Sequence, residues 1–272
     1  MEILAKVGFG CVALTIQPSL NKALYLLDVA FDNGIRNFDT APVYGQGYSE
    51  IILGKFIANK RDQINITTKF GLGNVNYPKI PAVLALPLHN FRKSLSSSQS
   101  KTRQTSLYTK TEKRVITKQQ IEHDFLLSLK RLNTDYIDNY LLHEGTPSFL
   151  SDDALDFVFM LKSTGRIKKI GLGVCHKNLE DISEEEIHNW DILQYENNFS
   201  INSGIIYSKF PEKKHIHHSI LKNVNHAEKV GNLLANNLLT YPEASILFST
   251  SKPNHLSANL KEMIKSYKSQ HI

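Results

Sequence analysis

Four side chains in the first half of the sequence suit one reaction between them: the carboxylate of Asp39, the phenol of Tyr44, the amine of Lys69 and the imidazole of His143. A hydride that arrives at a carbonyl carbon leaves negative charge on the oxygen, which then needs a proton donor and positive potential nearby. A phenol of ordinary pKa, about 10, gives up its proton reluctantly near neutral pH. An ammonium group beside it stabilises the phenolate and lowers that pKa. Lys69 is placed to do this for Tyr44, with Asp39 to keep the lysine charged and His143 to orient the carbonyl oxygen. Taken singly, each has an ordinary explanation: a capping Asp, a turn Tyr, a solvated Lys, a structural His. Together they stand at the ends of neighbouring strands, which four unrelated residues would rarely do.

The elements that must position them alternate between strand-like and helix-like along most of the 272 residues. An apolar, glycine-punctuated opening (4–14) is followed by a helix over 19–33, with Ser19 as its cap and Gly34 as its stop. Further strands are expected at 35–40, 64–70, 136–142, 169–174, 191–196, 215–221 and 245–250. Helices are expected at 49–58, 117–132, 152–163, 179–187, 227–239 and 255–267. Residues 200–214 show no amphipathic helix. Eight strands and about seven helices fit a single (β/α)8 TIM barrel over 1–272, of the α/β class, with its sixth helix reduced or missing. Catalysis in such a barrel sits at the C-terminal ends of the strands. Asp39 ends strand two, Lys69 strand three and His143 strand four, and Tyr44 lies in the loop after strand two.

A stretch over 73–116 breaks the pattern and reads as a long loop after strand three, with no convincing element and a Ser-rich second half. It holds Lys79, Arg92, Lys93, Lys101, Arg103, Lys110, Lys113 and Arg114 against the single acid Glu112. The whole chain has a net charge of +6, so the remainder is close to neutral, which excludes a general nucleic-acid-binding surface. Cys11 and Cys175 lie far apart in apolar segments, the N-terminus lacks a signal-peptide layout, and no apolar run is long enough to span a bilayer. A cytoplasmic protein without membrane partners is expected. His215, His217 and His218 lack a companion ligand for a usual zinc site, so no metal is expected. Trp190 and Tyr195 are expected to pack, and the acids between Glu180 and Glu186 to form an exposed face. No Gly-x-Gly-x-x-Gly follows a strand, so a Rossmann site is not supported.

Three segments carry a family resemblance. The run from Gly34 to Glu50, which includes Asn37-Phe-Asp-Thr-Ala-Pro-Val-Tyr44-Gly, resembles the aldo-keto reductase segment bearing the catalytic Asp and Tyr. Ile66-Thr-Thr-Lys-Phe-Gly71 resembles that family's lysine segment, and Tyr136-Ile-Asp-Asn-Tyr-Leu-Leu-His143 its histidine segment. The resemblance covers about Val7 to Tyr267. It implies that Asp39, Tyr44, Lys69 and His143 form the catalytic tetrad and that the cofactor is NADPH, with NADH as the other nicotinamide nucleotide. It also implies cofactor contacts at Gly10, Gln194, Ser219, Leu221, Ser249, Thr250, Ser251, Lys252, His255 and Asn259. Several positions depart from the family. Gly173-Val174-Cys175 stands where many members hold the nicotinamide amide with Ser and Asn. Ile220 replaces a usual proline, His255 an arginine and Ala258 a glutamate.

The resulting expectation is an enzyme that moves a hydride between nicotinamide and an aldehyde, a ketone or a sugar carbonyl or lactol. The basic insertion adds the idea of an anionic substrate. A barrel that binds NADPH without catalysis, as a sensor or partner subunit, is the principal alternative. A glycosidase would need paired carboxylates at the barrel mouth, where Asp39 and Glu196 are the clear strand-end candidates. A Schiff-base role for Lys69 would leave Tyr44 unexplained.

Overall fold

The structure, a computed structural model, describes residues 2–73, 75–95, 115–198, 204–222 and 229–270. Eight parallel strands close into a barrel in sequence order: β1 (Val7–Gly10), β2 (Asn37–Asp39), β3 (Asn65–Phe70), β4 (Ile137–His143), β5 (Ile167–Gly173), β6 (Ile192–Glu196), β7 (Lys214–His218) and β8 (Ser245–Phe248). The last strand pairs with the first, Val7 opposite Ile246. The chain is a (β/α)8 TIM barrel, as expected.

The helices outside it are α1 (Leu20–Asp32), α2 (Tyr48–Ile57), α3 (Ala82–Leu95), α4 (Lys118–Leu132), α5 (Asp152–Ser163), α6 (His176–Asp181), α7 (Glu184–Ile187), α8 (Gly204–Lys209), α9 (Val230–Thr240) and α10 (Pro253–Gln270). Ser19 caps α1 by accepting from the Lys22 amide, and Thr117 and Gln120 form a reciprocal capping box on α4. Among the described residues the sixth barrel helix is the six residues of α8. The single acidic helix expected over 179–187 is two short ones, divided at Ile182 and Ser183, and Ser183 caps the second. Its acids are exposed, and Trp190 and Tyr195 are buried packing residues.

One expectation is overturned. The segment over 73–116 contains α3, fourteen residues long, with Pro87 inside it. Pro81 directly before the helix and Pro87 within it read as loop punctuation; Pro81 stands where a helix tolerates a proline, and Pro87 is the sixth residue, inside it. Residues 96–114, which hold five of the segment's eight bases and most of its Ser-rich half, lie outside the described residues.

Alternation along each strand separates two apolar regions. The large core lies between strands and helices, built from side chains such as Phe38, Ile66, Tyr140, Leu172 and Leu193. A small inner layer of Leu141, Ile192 and Ile216, with Leu247 against it, plugs the barrel. Above this plug the inward positions at the strand ends are polar. Among the described residues no helix is long and apolar enough to cross a membrane.

Candidate active site

The loop from β2 to α2 delivers Tyr44. The ladder continues past β2 through Thr40, whose N–H donates to the Thr67 carbonyl at 2.8 Å. Thr40 then donates from its hydroxyl to Ser49 Oγ at 2.8 Å, and Ser49 donates to the Cys11 carbonyl at 3.0 Å. Gly45, Gln46 and Gly47 all have positive φ, which lets the chain turn sharply behind Tyr44. A Cβ on Gly45 would stand 2.5 Å from Thr15 Cγ2, so glycine is required there twice over. Beneath the loop a buried ion pair joins Arg131 of α4 to Glu50 of α2 at 2.7 Å, and Glu50 also accepts from Thr68 at 2.7 Å. Arg131 reaches the Val75 carbonyl as well, so α2, α4, β3 and the segment after β3 are fastened together under Tyr44.

Lys69 points inward from β3 and is almost wholly buried, at 2% exposure. Its Nζ donates to Asp39 Oδ1 at 2.6 Å and to the Thr40 carbonyl at 3.0 Å. The second Asp39 oxygen accepts from Gln194 Nε2 at 2.7 Å, across the barrel from β6. Lys69 Nζ lies 5.3 Å from the centroid of the Tyr44 ring. The rings of Tyr44 and His143 meet edge to face, with centroids 6.3 Å apart. The four residues singled out by type and spacing thus share one site, and Gln194 joins them through Asp39.

Electrostatics sharpen these roles. Burial works against the Lys69 charge, but the Asp39 carboxylate and Tyr44 outweigh it and raise its pKa. His143 is pushed down to about 3 by burial, with the Lys69 charge and His218 adding to the effect, so its imidazole is neutral at neutral pH. For Tyr44 the sum differs from the expectation. Burial raises the phenol, Lys69 draws it down, Asp39 pushes it up again, and the net direction is upward. Asp39 cancels much of the lysine's field at the phenol, and burial disfavours the phenolate. Tyr44 therefore stands as a neutral O–H donor.

These groups line a cavity of about 340 Å³ at the barrel mouth. Gly10, Gln194, Ser219, Leu221 and Ser249, from the cofactor set, line the same cavity. Thr250, Ser251, Lys252, His255 and Asn259 do not; they follow β8 through the turn into α10. There Ser251, Lys252 and His255 are exposed at the N-terminal end of an eighteen-residue helix, an arrangement of N–H groups, hydroxyls and one ammonium suited to a phosphate. At strand five, Val174 is buried and Cys175 is exposed at the head of α6, so only Gly173 meets the cavity. A Cβ on Gly173 would sit 3.5 Å from Gln194 Oε1, in ordinary van der Waals contact.

Further residues on this wall stand outside the set read from the sequence, among them Glu144, His218 and Lys222. Asp39 and Glu196 are not the only carboxylates at the strand ends, because Glu144 stands one residue past β4. Its position directly after His143 was the available signal. His218, read as one of a histidine run, separates from its neighbours by alternation. It faces the cavity and hydrogen-bonds Ser219 Oγ at 2.9 Å, while His215 and His217 face outward. Burial pushes His218 down to about 4, against the pull of Asp39.

A parallel eight-stranded barrel with these groups at the C-terminal mouth has counterparts among known proteins. The aldo/keto reductase family model matches residues 6–225, and this chain belongs to that family. The uncharacterised oxidoreductase YqkF of Bacillus subtilis is 30% identical over 180 residues, covering 65% of this chain and 47% of that protein. The NADH-specific methylglyoxal reductase of Escherichia coli is 29% identical over 182 residues, covering 62% and 48%. The matches thus span about half the length of these curated relatives. In fold, the solved structure of an aldo-keto reductase from Klebsiella pneumoniae in complex with NADPH superposes with a TM-score of 0.61 at 15% identity, over 95% of this chain and 85% of that one.

Proposed function

We propose that this chain reduces a small aldehyde or ketone, sugar carbonyls and lactols included, with NADPH as the reductant and Tyr44 as the proton donor. The observation that carries the reading is the buried Lys69–Asp39 pair set against Tyr44, with neutral His143 on the same wall. When bound, the nicotinamide supplies the hydride. Gly10, Gln194, Ser219, Leu221 and Ser249 suit its nicotinamide end, and the Thr250–Lys252 turn with His255 and Asn259 suits its phosphate end. Lys252 and the hydroxyls beside it favour NADPH over NADH.

His143, as a neutral imidazole, donates a hydrogen bond to the substrate oxygen and so fixes the carbonyl. Tyr44 keeps its proton until charge grows on that oxygen and then delivers it. The phenolate left behind is stabilised by the Lys69 ammonium, whose charge Asp39 maintains, and Gln194 holds Asp39 from the opposite side. A barrel that only bound the nucleotide would have no use for a charge pair buried beside a phenol. Tyr44→Phe should lower aldehyde turnover by at least about a hundredfold, while NADPH binding, followed by fluorescence, persists. Full activity in that variant would refute the assignment.

A further inference from the structure

The proposed reaction leaves one cavity-lining charge without a task. Glu144 follows His143, the last residue of β4, and lines the same cavity. Its N–H donates to the Gly173 carbonyl at 2.6 Å and its φ is +56°, in the left-handed region. A glutamate is disfavoured in that backbone state, and such residues persist where their surroundings enforce them, commonly at functional sites. Four non-glycine residues have positive φ among the described ones, and two of them, Glu144 and Ser219, line this cavity.

The other charges on the wall are already matched. Lys69 is bound to Asp39, and Lys222 to Glu196 at 3.0 and 3.3 Å. His143 and His218 are neutral. The Glu144 carboxylate has no ion pair or side-chain hydrogen bond among the described residues, and the residue is half-buried. Burial pushes it up, Glu196 acts in the same direction, and Lys69 opposes both. A ligand that displaces water from this carboxylate must bring a donor of its own.

We infer that Glu144 is a specificity-determining residue whose carboxylate accepts hydrogen bonds from a hydroxyl or ammonium group carried beside the substrate's carbonyl. The site then selects hydroxylated or amine-bearing aldehydes and ketones and turns away anionic ones. The inference rests on the reductase reading above and deepens it. It runs against an anionic substrate drawn in by the basic 73–116 segment, because the unpaired charge on the cavity wall is a carboxylate. A phosphate or carboxylate at Glu144 would meet like charge in a partly dry site, and an unsubstituted alkyl chain would leave the carboxylate unpartnered.

The test compares kcat/KM with NADPH for propanal, glyceraldehyde, aminoacetaldehyde and glyceraldehyde 3-phosphate, in the wild type and in Glu144→Gln and Glu144→Asn. Asparagine tolerates left-handed backbone, which guards against simple misfolding. The wild type should prefer glyceraldehyde and aminoacetaldehyde to propanal by about tenfold or more, with the phosphate poorest. Glu144→Asn should cut the glyceraldehyde-to-propanal ratio by about tenfold. Glu144→Gln should keep part of the hydroxyl preference and lose the ammonium preference, which tells the two donor types apart. An unchanged ratio in Glu144→Asn, or a wild-type preference for the phosphate, would overturn the inference and leave the reductase reading standing. Variants that bind NADPH but reduce no aldehyde would assign Glu144 to the backbone of the site and overturn it as well. A wild type that reduces none of the four would sink the reductase reading, and this inference with it.

Discussion

Two clusters of tyrosine and histidine sit in this barrel, on opposite sides of its wall, and only one of them is charged. At the mouth, Tyr44 and His143 face the cavity beside the Lys69–Asp39 pair. Behind β6 and β7, Tyr195, His215 and His217 are sealed between strands and helices. His215 Nε2 lies 2.9 Å from the Phe210 carbonyl and must donate to it, which leaves Nδ1 to accept from the Tyr195 hydroxyl at 2.8 Å. The Tyr195 oxygen then accepts from His217 Nε2 at 3.1 Å, and His217 Nδ1 lies 3.0 Å from both Asn197 Nδ2 and Asn237 Oδ1. Burial pushes His217 down to about 4, lowers His215 and raises Tyr195, so every member is neutral at neutral pH. Tyr207 of α8 packs tilted against His215, with centroids 4.8 Å apart, and Tyr241 edge-on against His217 at 4.9 Å. The same residue types thus build a structural cluster in one place and the proposed reaction centre in the other. What separates them is a buried charge beside the phenol and an open wall in front of it.

Removing the charge is the strongest way to break that contrast. Lys69→Met should destabilise the fold by about 3–5 kcal/mol in chemical unfolding, because Asp39 is left buried without its cation. It should also remove most turnover. A loss under about 1 kcal/mol would mean that the pair is solvated and that the contrast is false. A smaller effect is expected from Tyr195→Phe. That change leaves His215 Nδ1 without a donor and His217 Nε2–H without an acceptor, for a cost of about 1–2 kcal/mol, with turnover unaltered. A collapse of turnover in Tyr195→Phe would show that the two clusters communicate through β6.

Much of this was legible before any coordinates. The alternation of strand and helix patterns predicts the barrel, and strand ends predict Asp39, Lys69 and His143, because a period of two fixes which residues face inward. Residues 200–214 show no amphipathic pattern, and among the described residues that stretch holds only the short helix α8. α3 was hidden by Pro81 and Pro87, whose local meaning depends on where a helix starts. Gln194 was read only through family resemblance as a cofactor contact, and its bond to Asp39 comes from barrel closure, which brings β2 and β6 within reach over 155 positions of sequence. The upward shift of Tyr44 escaped for a related reason: the net field of a buried ion pair depends on distances that no spacing encodes. Glu144 was passed over because its strained backbone, and its want of a partner, exist only in three dimensions.

The most direct test of the central claim, that this mouth is a nicotinamide-dependent reductase site, is a fluorescence titration of the purified protein with NADPH and, separately, with NADH. The account predicts saturable NADPH binding, tighter than NADH, which Lys252→Ala weakens for NADPH more than for NADH. Failure of both nucleotides to bind would contradict it, and would leave the Lys69–Asp39–Tyr44 constellation as a reaction centre with no hydride to receive.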